Sequence, residues 1–204
     1  MNKLNGIVNR FALYNNGERI TDFEYDEVKE KNGVYILWNK KQVVLYDKET
    51  MTKKLEISDN ILCLFFKKDY FIVRIDDGKD WDSKVLTNAA YSYDGKVLIE
   101  PYKYTNVRSF EKVIVVYSRP KYHELFLYDL NGNPLITPVC SFENVLPDRK
   151  GVIVTKNGKV GMYSYKGELL VPIEYGKYTE VLKLVKDKEV EIIDEEFSEH
   201  NDWL

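Results

Sequence analysis

Gly151-Val152-Ile153-Val154-Thr155-Lys156-Asn157-Gly158-Lys159-Val160-Gly161-Met162-Tyr163-Ser164-Tyr165-Lys166-Gly167-Glu168-Leu169-Leu170-Val171-Pro172 decides how this chain is read. A β-branched run leads into an Asn-Gly turn. A short aromatic strand then ends in a second glycine turn, and an aliphatic strand closes on proline. Val, Ile, Thr and Tyr suit a pleated, half-buried surface. Asn-Gly pairs accept the positive φ that tight hairpins demand. Proline removes a ladder donor, so it belongs at a strand end or a sheet edge.

The same pieces recur upstream. Tyr163-Ser-Tyr-Lys-Gly167 matches Tyr91-Ser-Tyr-Asp-Gly95, Tyr128-Asp-Leu-Asn-Gly132 and Leu13-Tyr14-Asn15-Asn16-Gly17. A fifth copy, Leu45-Tyr46-Asp47-Lys48-Glu49, lacks the glycine. A second element follows as Leu98-Ile99-Glu100-Pro101, Leu135-Ile136-Thr137-Pro138 and Leu170-Val171-Pro172, weakening to Arg19-Ile20-Thr21-Asp22. A third is aromatic-x-acid/amide-Val: Tyr25–Val28, Tyr104–Val107, Phe142–Val145 and Tyr178–Val181. The second unit has only Ser58-Asp59-Asn60-Ile61 there. A further β run, such as Val34–Trp38 or Tyr70–Arg74, leads into the next unit.

This order predicts an all-β chain of about five three-stranded hairpin repeats in one domain. The units run about 11–42, 43–88, 89–124, 125–160 and 161–189, with a partial sixth strand at 190–194 and an acidic tail at 195–204. Such lengths fall in the range of propeller blades and solenoid turns. A propeller-like ring is the first expected architecture, and an open β-superhelix the second. Asn5-Gly6-Ile7-Val8 mirrors Asn157-Gly158-Lys159-Val160, so ragged ends either close a ring or cap a spiral. No window shows sustained helical periodicity with caps; a terminal turn of helix is expected only at Glu195–Leu204.

The segment 151–172 resembles the WG-repeat proteins of bacteria. Their unit has a β stretch, a Gly-Lys-Trp-Gly turn, a short aromatic strand, a Gly turn, an Ile-Pro strand and a Tyr-x-x-Val segment. The fourth and fifth units match well and the first and third moderately, while the second is degenerate. Val160-Gly161 stands where the family has Trp-Gly, which makes this a divergent member. The resemblance implies β-rich repeat modules and no assigned catalytic motif.

Composition narrows the function classes. Thirty basic and 33 acidic residues give a net charge of −3, so no global field draws the chain to nucleic acid or an anionic membrane. From Asp187 to Leu204 there are eight acids and one lysine, Lys188. The expected state of that tail is solvated; its alternative role is an acidic contact for a basic partner. Cys63 and Cys140 sit in apolar contexts and are expected to be buried, reduced packing residues. The N-terminus lacks a signal-peptide apolar run and no stretch is long enough to span a membrane, so a cytoplasmic protein is expected.

Catalytic signatures are absent from the sequence: no nucleophile elbow, phosphate-binding glycine loop or zinc-binding His pair occurs. His123, beside Tyr122 in Arg119-Pro120-Lys121-Tyr122-His123-Glu124, reads as a polar turn residue, and His200 lies in the acidic tail. Glu100, Glu143 and Glu180 recur at comparable repeat positions, which marks scaffold and turn residues. The outstanding loop is Asp76-Asp77-Gly78-Lys79-Asp80-Trp81-Asp82-Ser83-Lys84. Four carboxylates in seven residues make Asp76, Asp80 and Asp82 weak calcium candidates, though the spacing of a helix-loop-helix calcium site is missing. A solvated insertion presenting Trp81 for a partner contact is favoured over a metal site.

The function expected is a non-enzymatic binding module for a protein or peptide, without cofactor, nucleic acid or membrane partner. The expected contacts are Asp76, Asp77, Asp80, Trp81, Tyr122, His123 and Trp203. One alternative is a small inhibitor or immunity-type protein that blocks a toxin, nuclease or defence enzyme. Another is a carbohydrate-binding or hydrolase-like protein using exposed Tyr and Trp.

Overall fold

The computed structural model describes residues 10–76, 86–110, 112–118, 124–137 and 139–186. The chain divides into two compact units, Met1–Val107 and Arg108–Leu204. The described residues are mostly β, in several small antiparallel sheets, with one short helix.

The first unit opens with a hairpin of β1 (Tyr14–Asn15) and β2 (Glu18–Arg19). Asn16 and Gly17 turn it with φ of 49° and 84°. A four-stranded meander follows: β3 (Glu27–Lys31), β4 (Val34–Trp38), β5 (Gln42–Asp47) and β6 (Lys53–Ser58). A second meander has the same sequential order: β7 (Ile61–Phe66), β8 (Tyr70–Asp76), β9 (Leu86–Ser92) and β10 (Val97–Ile99).

Strand alternation sets the core. Successive side chains point to opposite faces. Val34, Ile36, Val43 and Leu45 therefore share one face of the first meander, where they pack against Phe71, Val73, Ala89 and Tyr91 of the second. Leu37 and Val44 point the other way, onto Leu13 and Tyr25. Full burial of a Val, Ile or Phe contributes roughly 1.5–3 kcal/mol each. The interior strands β4, β5, β8 and β9 thus hold the unit together. The edge strand β3 is almost wholly exposed.

In the chain's second half, β11 (Tyr104–Ser109), β12 (Ile114–Ser118) and β13 (Leu125–Tyr128) form a three-stranded sheet. Pro138 lies outside the described residues; of the strand expected at Leu135–Pro138, the described part shows a Leu135 N–H donating to the Leu127 carbonyl at 2.9 Å, next to a Tyr128–Pro134 bridge. Pro134 has no N–H to extend that ladder. A further meander is formed by β14 (Asn144–Asp148), β15 (Gly151–Lys156), β16 (Lys159–Tyr163) and β17 (Leu169–Tyr175). Pro147 and Pro172 both lie in its edge strands, where the missing donor costs least.

Two expectations are corrected. The complete sheets are four-stranded, not three-stranded. The β run read as leading into the next unit is the second strand of a sheet, and the aromatic-x-acid/amide-Val element is the first. Sheets are therefore out of phase with the repeat as delimited by its glycine turns. The second correction concerns Tyr178–Val181, the fifth-unit copy of that element, which forms the first turns of helix α1 (Tyr178–Val185). The Glu180 carboxylate accepts from the N–H groups of Gly176 and Lys177, both at 3.2 Å, which stabilises the helix start. Val181 and Val185 fall on one face and bury against Ile153, Met162 and Val171.

Glycine is required at Gly161. A Cβ there would stand 2.7–2.8 Å from Ile173 of the bulged strand β17. Glu143 is a turn residue, as expected. Its carboxylate accepts from the N–H groups of Asn157 at 2.8 Å and Gly158 at 3.1 Å.

Candidate functional site

Of the sequence-derived contacts, only Asp76 falls within the described residues. It ends β8, pairs with Leu86 and donates its N–H to the Asn60 carbonyl at 2.9 Å. Asp77, Asp80, Trp81, Asp82, Tyr122, His123 and Trp203 lie outside the described residues. So do the sixth strand at 190–194 and the tail. Among the described residues, no group of three or more His, Cys, Asp or Glu side chains gathers as a metal site. No helix among them is long and apolar enough to cross a membrane. Cys63 and Cys140 are free thiols and half-buried, not fully buried as expected. Burial raises the pKa of the Cys63 thiol, and nearby Arg74 offsets part of that rise.

The structure instead presents a cleft of about 310 Å³ between β3 and β7 in the first unit. Each is the leading edge strand of its meander: among the described residues β3 pairs only with β4, and β7 only with β8. Glu27, Val28 and Lys29 form one wall, and Leu62, Cys63 and Leu64 the other, with Trp38 and Phe66 between them. Leu62 is 47% exposed at this wall.

The cleft floor is continuous with the core. Trp38 and Phe66 meet with centroids 5.6 Å apart, and Phe66 continues to Phe71 at 6.4 Å. Phe71 is fully buried and touches Tyr91 and Tyr93, at 5.7 and 5.8 Å. An aromatic row thus anchors the surface rings to the core.

One end of the cleft is basic. Lys29 Nζ lies 4.4 Å from the Phe66 centroid, and Lys31 Nζ 5.9 Å from that of Tyr93. Asn32 Nδ2 donates to the Lys68 carbonyl at 2.6 Å, and the Tyr93 hydroxyl to the Lys67 carbonyl at 2.8 Å. The β3–β4 and β7–β8 turns therefore adjoin, and the two strands run in the same sense towards them. Lys29, Lys31, Lys67 and Lys68 converge there. None has a carboxylate within ion-pair distance among the described residues.

Chemically the arrangement offers two strand edges, the Trp38–Phe66 aromatic pair between them within an otherwise largely polar lining, and a cationic end. Sequence reasoning missed it because its walls lie on two strands about 35 residues apart, brought together by packing of the two meanders. A usable signal was present: β7 is apolar at every position, so both of its faces carry apolar side chains although it is an edge strand.

No protein-family profile matches the chain, and no curated protein sequence matches it. Solved structures similar to it include Hsv2 of Kluyveromyces marxianus, at 12% identity and a TM-score of 0.37, covering 80% of this chain and 58% of that one. Hsv2p of Kluyveromyces lactis is similar at 11% identity and a TM-score of 0.36, covering 75% and 53%. BamB of Moraxella catarrhalis is similar at 14% identity and a TM-score of 0.30, covering 69% and 40%. The chain thus spans less than two thirds of the length of each.

Proposed function

We propose that this chain is a non-enzymatic binding module that holds an extended segment of a protein partner in the cleft between β3 and β7. The observation that supports it is the adjacency of two open strand edges, β3 and β7, with the Trp38–Phe66 aromatic pair between them and the exposed side chain of Leu62 beside it. An open edge adds a peptide strand through main-chain hydrogen bonds, and side-chain pockets beside it supply selectivity. A cavity of this size accommodates one or two apolar side chains of such a strand. The sequential meanders fit the reading of this chain as a divergent WG-repeat protein with a propeller-like arrangement of its sheets.

The test is selection from a display library of extended peptides against the intact chain, followed by competition with the Leu62→Glu variant. Leu62 is half exposed, so the fold tolerates the change, whereas a buried charge in the cleft costs an apolar ligand several kcal/mol. The expected result is enrichment of apolar-centred peptides that lose binding to Leu62→Glu. Equal binding to both proteins would remove the cleft as the site.

A further inference from the structure

Resting on the reading of the cleft as a strand-binding site, we infer that its partner segment is acidic, with carboxylates flanking an apolar or aromatic centre.

The argument is one of charge complementarity at a defined place. The net charge of the whole chain is −3, yet Lys29, Lys31, Lys67 and Lys68 gather at one end of the cleft. Nearby Glu30 is already engaged by Lys48. That leaves four lysines against the carboxylates of Glu27 and Asp69, so this end is positive within an acidic protein. Lys29 and Lys31 lie over aromatic rings, a contact that holds an ammonium in place without neutralising it. An ammonium held this way still attracts a carboxylate, and its stem adds apolar surface to the cleft wall.

The geometry places these charges relative to the apolar floor. Lys29 sits directly above Phe66, the ring that meets Trp38. Lys67 and Lys68 follow Phe66 in the chain, at the turn where Asn32 ties the two meanders together. A strand laid along β3 or β7 with a side chain over Trp38 and Phe66 passes these lysines within two or three residues. At about 3.3 Å per residue, its acidic positions fall at that distance from the apolar anchor. Each carboxylate placed there adds modest affinity and speeds encounter, and both effects weaken with salt.

The probes are three synthetic peptides that share one apolar and aromatic centre and differ only in glutamate, serine or lysine flanks. Binding is measured by fluorescence anisotropy to the intact chain, to Lys67→Ser/Lys68→Ser, and to Lys29→Glu/Lys31→Glu. The serine pair alters side chains that make no hydrogen bond or ion pair among the described residues, so it keeps the test valid if the glutamate pair weakens the fold. The expected order for the unaltered chain is glutamate, then serine, then lysine flanks. The glutamate-flanked peptide should lead by about tenfold, in line with two or three partly exposed charge pairs. The serine pair should shrink that lead, the glutamate pair should reverse it, and added salt should erase it. Equal binding of glutamate- and serine-flanked peptides overturns the acidic preference and leaves the cleft reading standing. If none of the three peptides binds the unaltered chain, the cleft reading itself falls.

Discussion

Gly167 lies against the backbone of Leu135, so closely that a Cβ at Gly167 would stand 2.0 Å from the Leu135 carbonyl oxygen. The first unit repeats the relationship: a Cβ at Gly95 would stand 2.7 Å from the Lys54 oxygen. In both, the glycine turn of one sheet rests on the closing segment of the sheet before it. Both glycines also hold positive φ, 83° and 93°. Gly17 has a similar φ of 84°, but a Cβ there would meet nothing within 4 Å beyond its chain neighbours. Gly17→Ala is therefore expected to cost about 1 kcal/mol, from backbone strain alone. Gly167→Ala adds a backbone clash and is expected to cost at least ~2 kcal/mol. Thermal melts of the two variants check this; a Gly17 variant that melts below the Gly167 variant would contradict it.

A second repeated device is the second tyrosine of Tyr-Ser-Tyr. The Tyr93 hydroxyl donates to the Lys67 carbonyl at 2.8 Å, and the Tyr165 hydroxyl to the Asp148 carbonyl at 2.7 Å. Each bond ties the glycine turn to the first turn of the same sheet. Tyr93→Phe and Tyr165→Phe should each lose about 1 kcal/mol, because the ring packing survives and one hydrogen bond is lost. Urea denaturation followed by intrinsic fluorescence reads the difference. A loss in only one of the two variants would show that the two bonds are not equivalent.

Acid should weaken the first unit through Asp47. Its carboxyl lies well below the usual carboxylate range, chiefly because Lys54 bonds to it, at 2.7 Å, and also because the Thr50 and Glu49 N–H groups donate to it. A group whose folded pKa is depressed contributes stability above its unfolded pKa and loses it as pH falls through the folded value. The contribution is thus complete at neutral pH and declines on acidification below the ordinary Asp range. Asp47→Asn should lower stability at pH 7 and flatten its fall towards acid. Denaturation midpoints across that range test it, and parallel pH curves for the two proteins would refute it.

Cys63 reports on the cleft it lines. Burial raises its thiol pKa, so less thiolate is present at neutral pH than for a free cysteine. In a Cys140→Ser background, iodoacetamide should modify Cys63 more slowly than it modifies glutathione, and the gap should narrow as pH rises. A bound apolar-centred peptide should slow the reaction further. Peptide mapping by mass spectrometry gives both rates; unchanged labelling with a saturating peptide would place that peptide elsewhere.

The glycine turns were legible because each rests on local chemistry. Gly17, Gly95, Gly132 and Gly167 all adopt the positive φ that their turn pairs imply. The cleft was not legible, because Trp38, Leu62 and Phe66 become neighbours only when two meanders pack face to face. The loop at Asp76–Lys84 drew attention by composition, and composition does not say what a loop faces.

Two tetrapeptides mark the boundary between these kinds of knowledge. Tyr104-Thr105-Asn106-Val107 begins strand β11, while Tyr178-Thr179-Glu180-Val181 begins helix α1. They differ only at Asn106 and Glu180. The Asn106 side chain accepts from Asn88 Nδ2 at 2.8 Å, a partner on strand β9 of another sheet, whereas Glu180 accepts from N–H groups of the residues just before its helix. The sequence by itself determined the β-rich composition, the turn positions and the repeated order of elements, since turn chemistry and strand alternation act over a few residues. Tertiary structure alone decided where each sheet begins, which copy of the motif becomes a helix, and which strand edges flank a cleft. Those outcomes depend on burial against segments far away in the chain, where the larger share of the free energy lies.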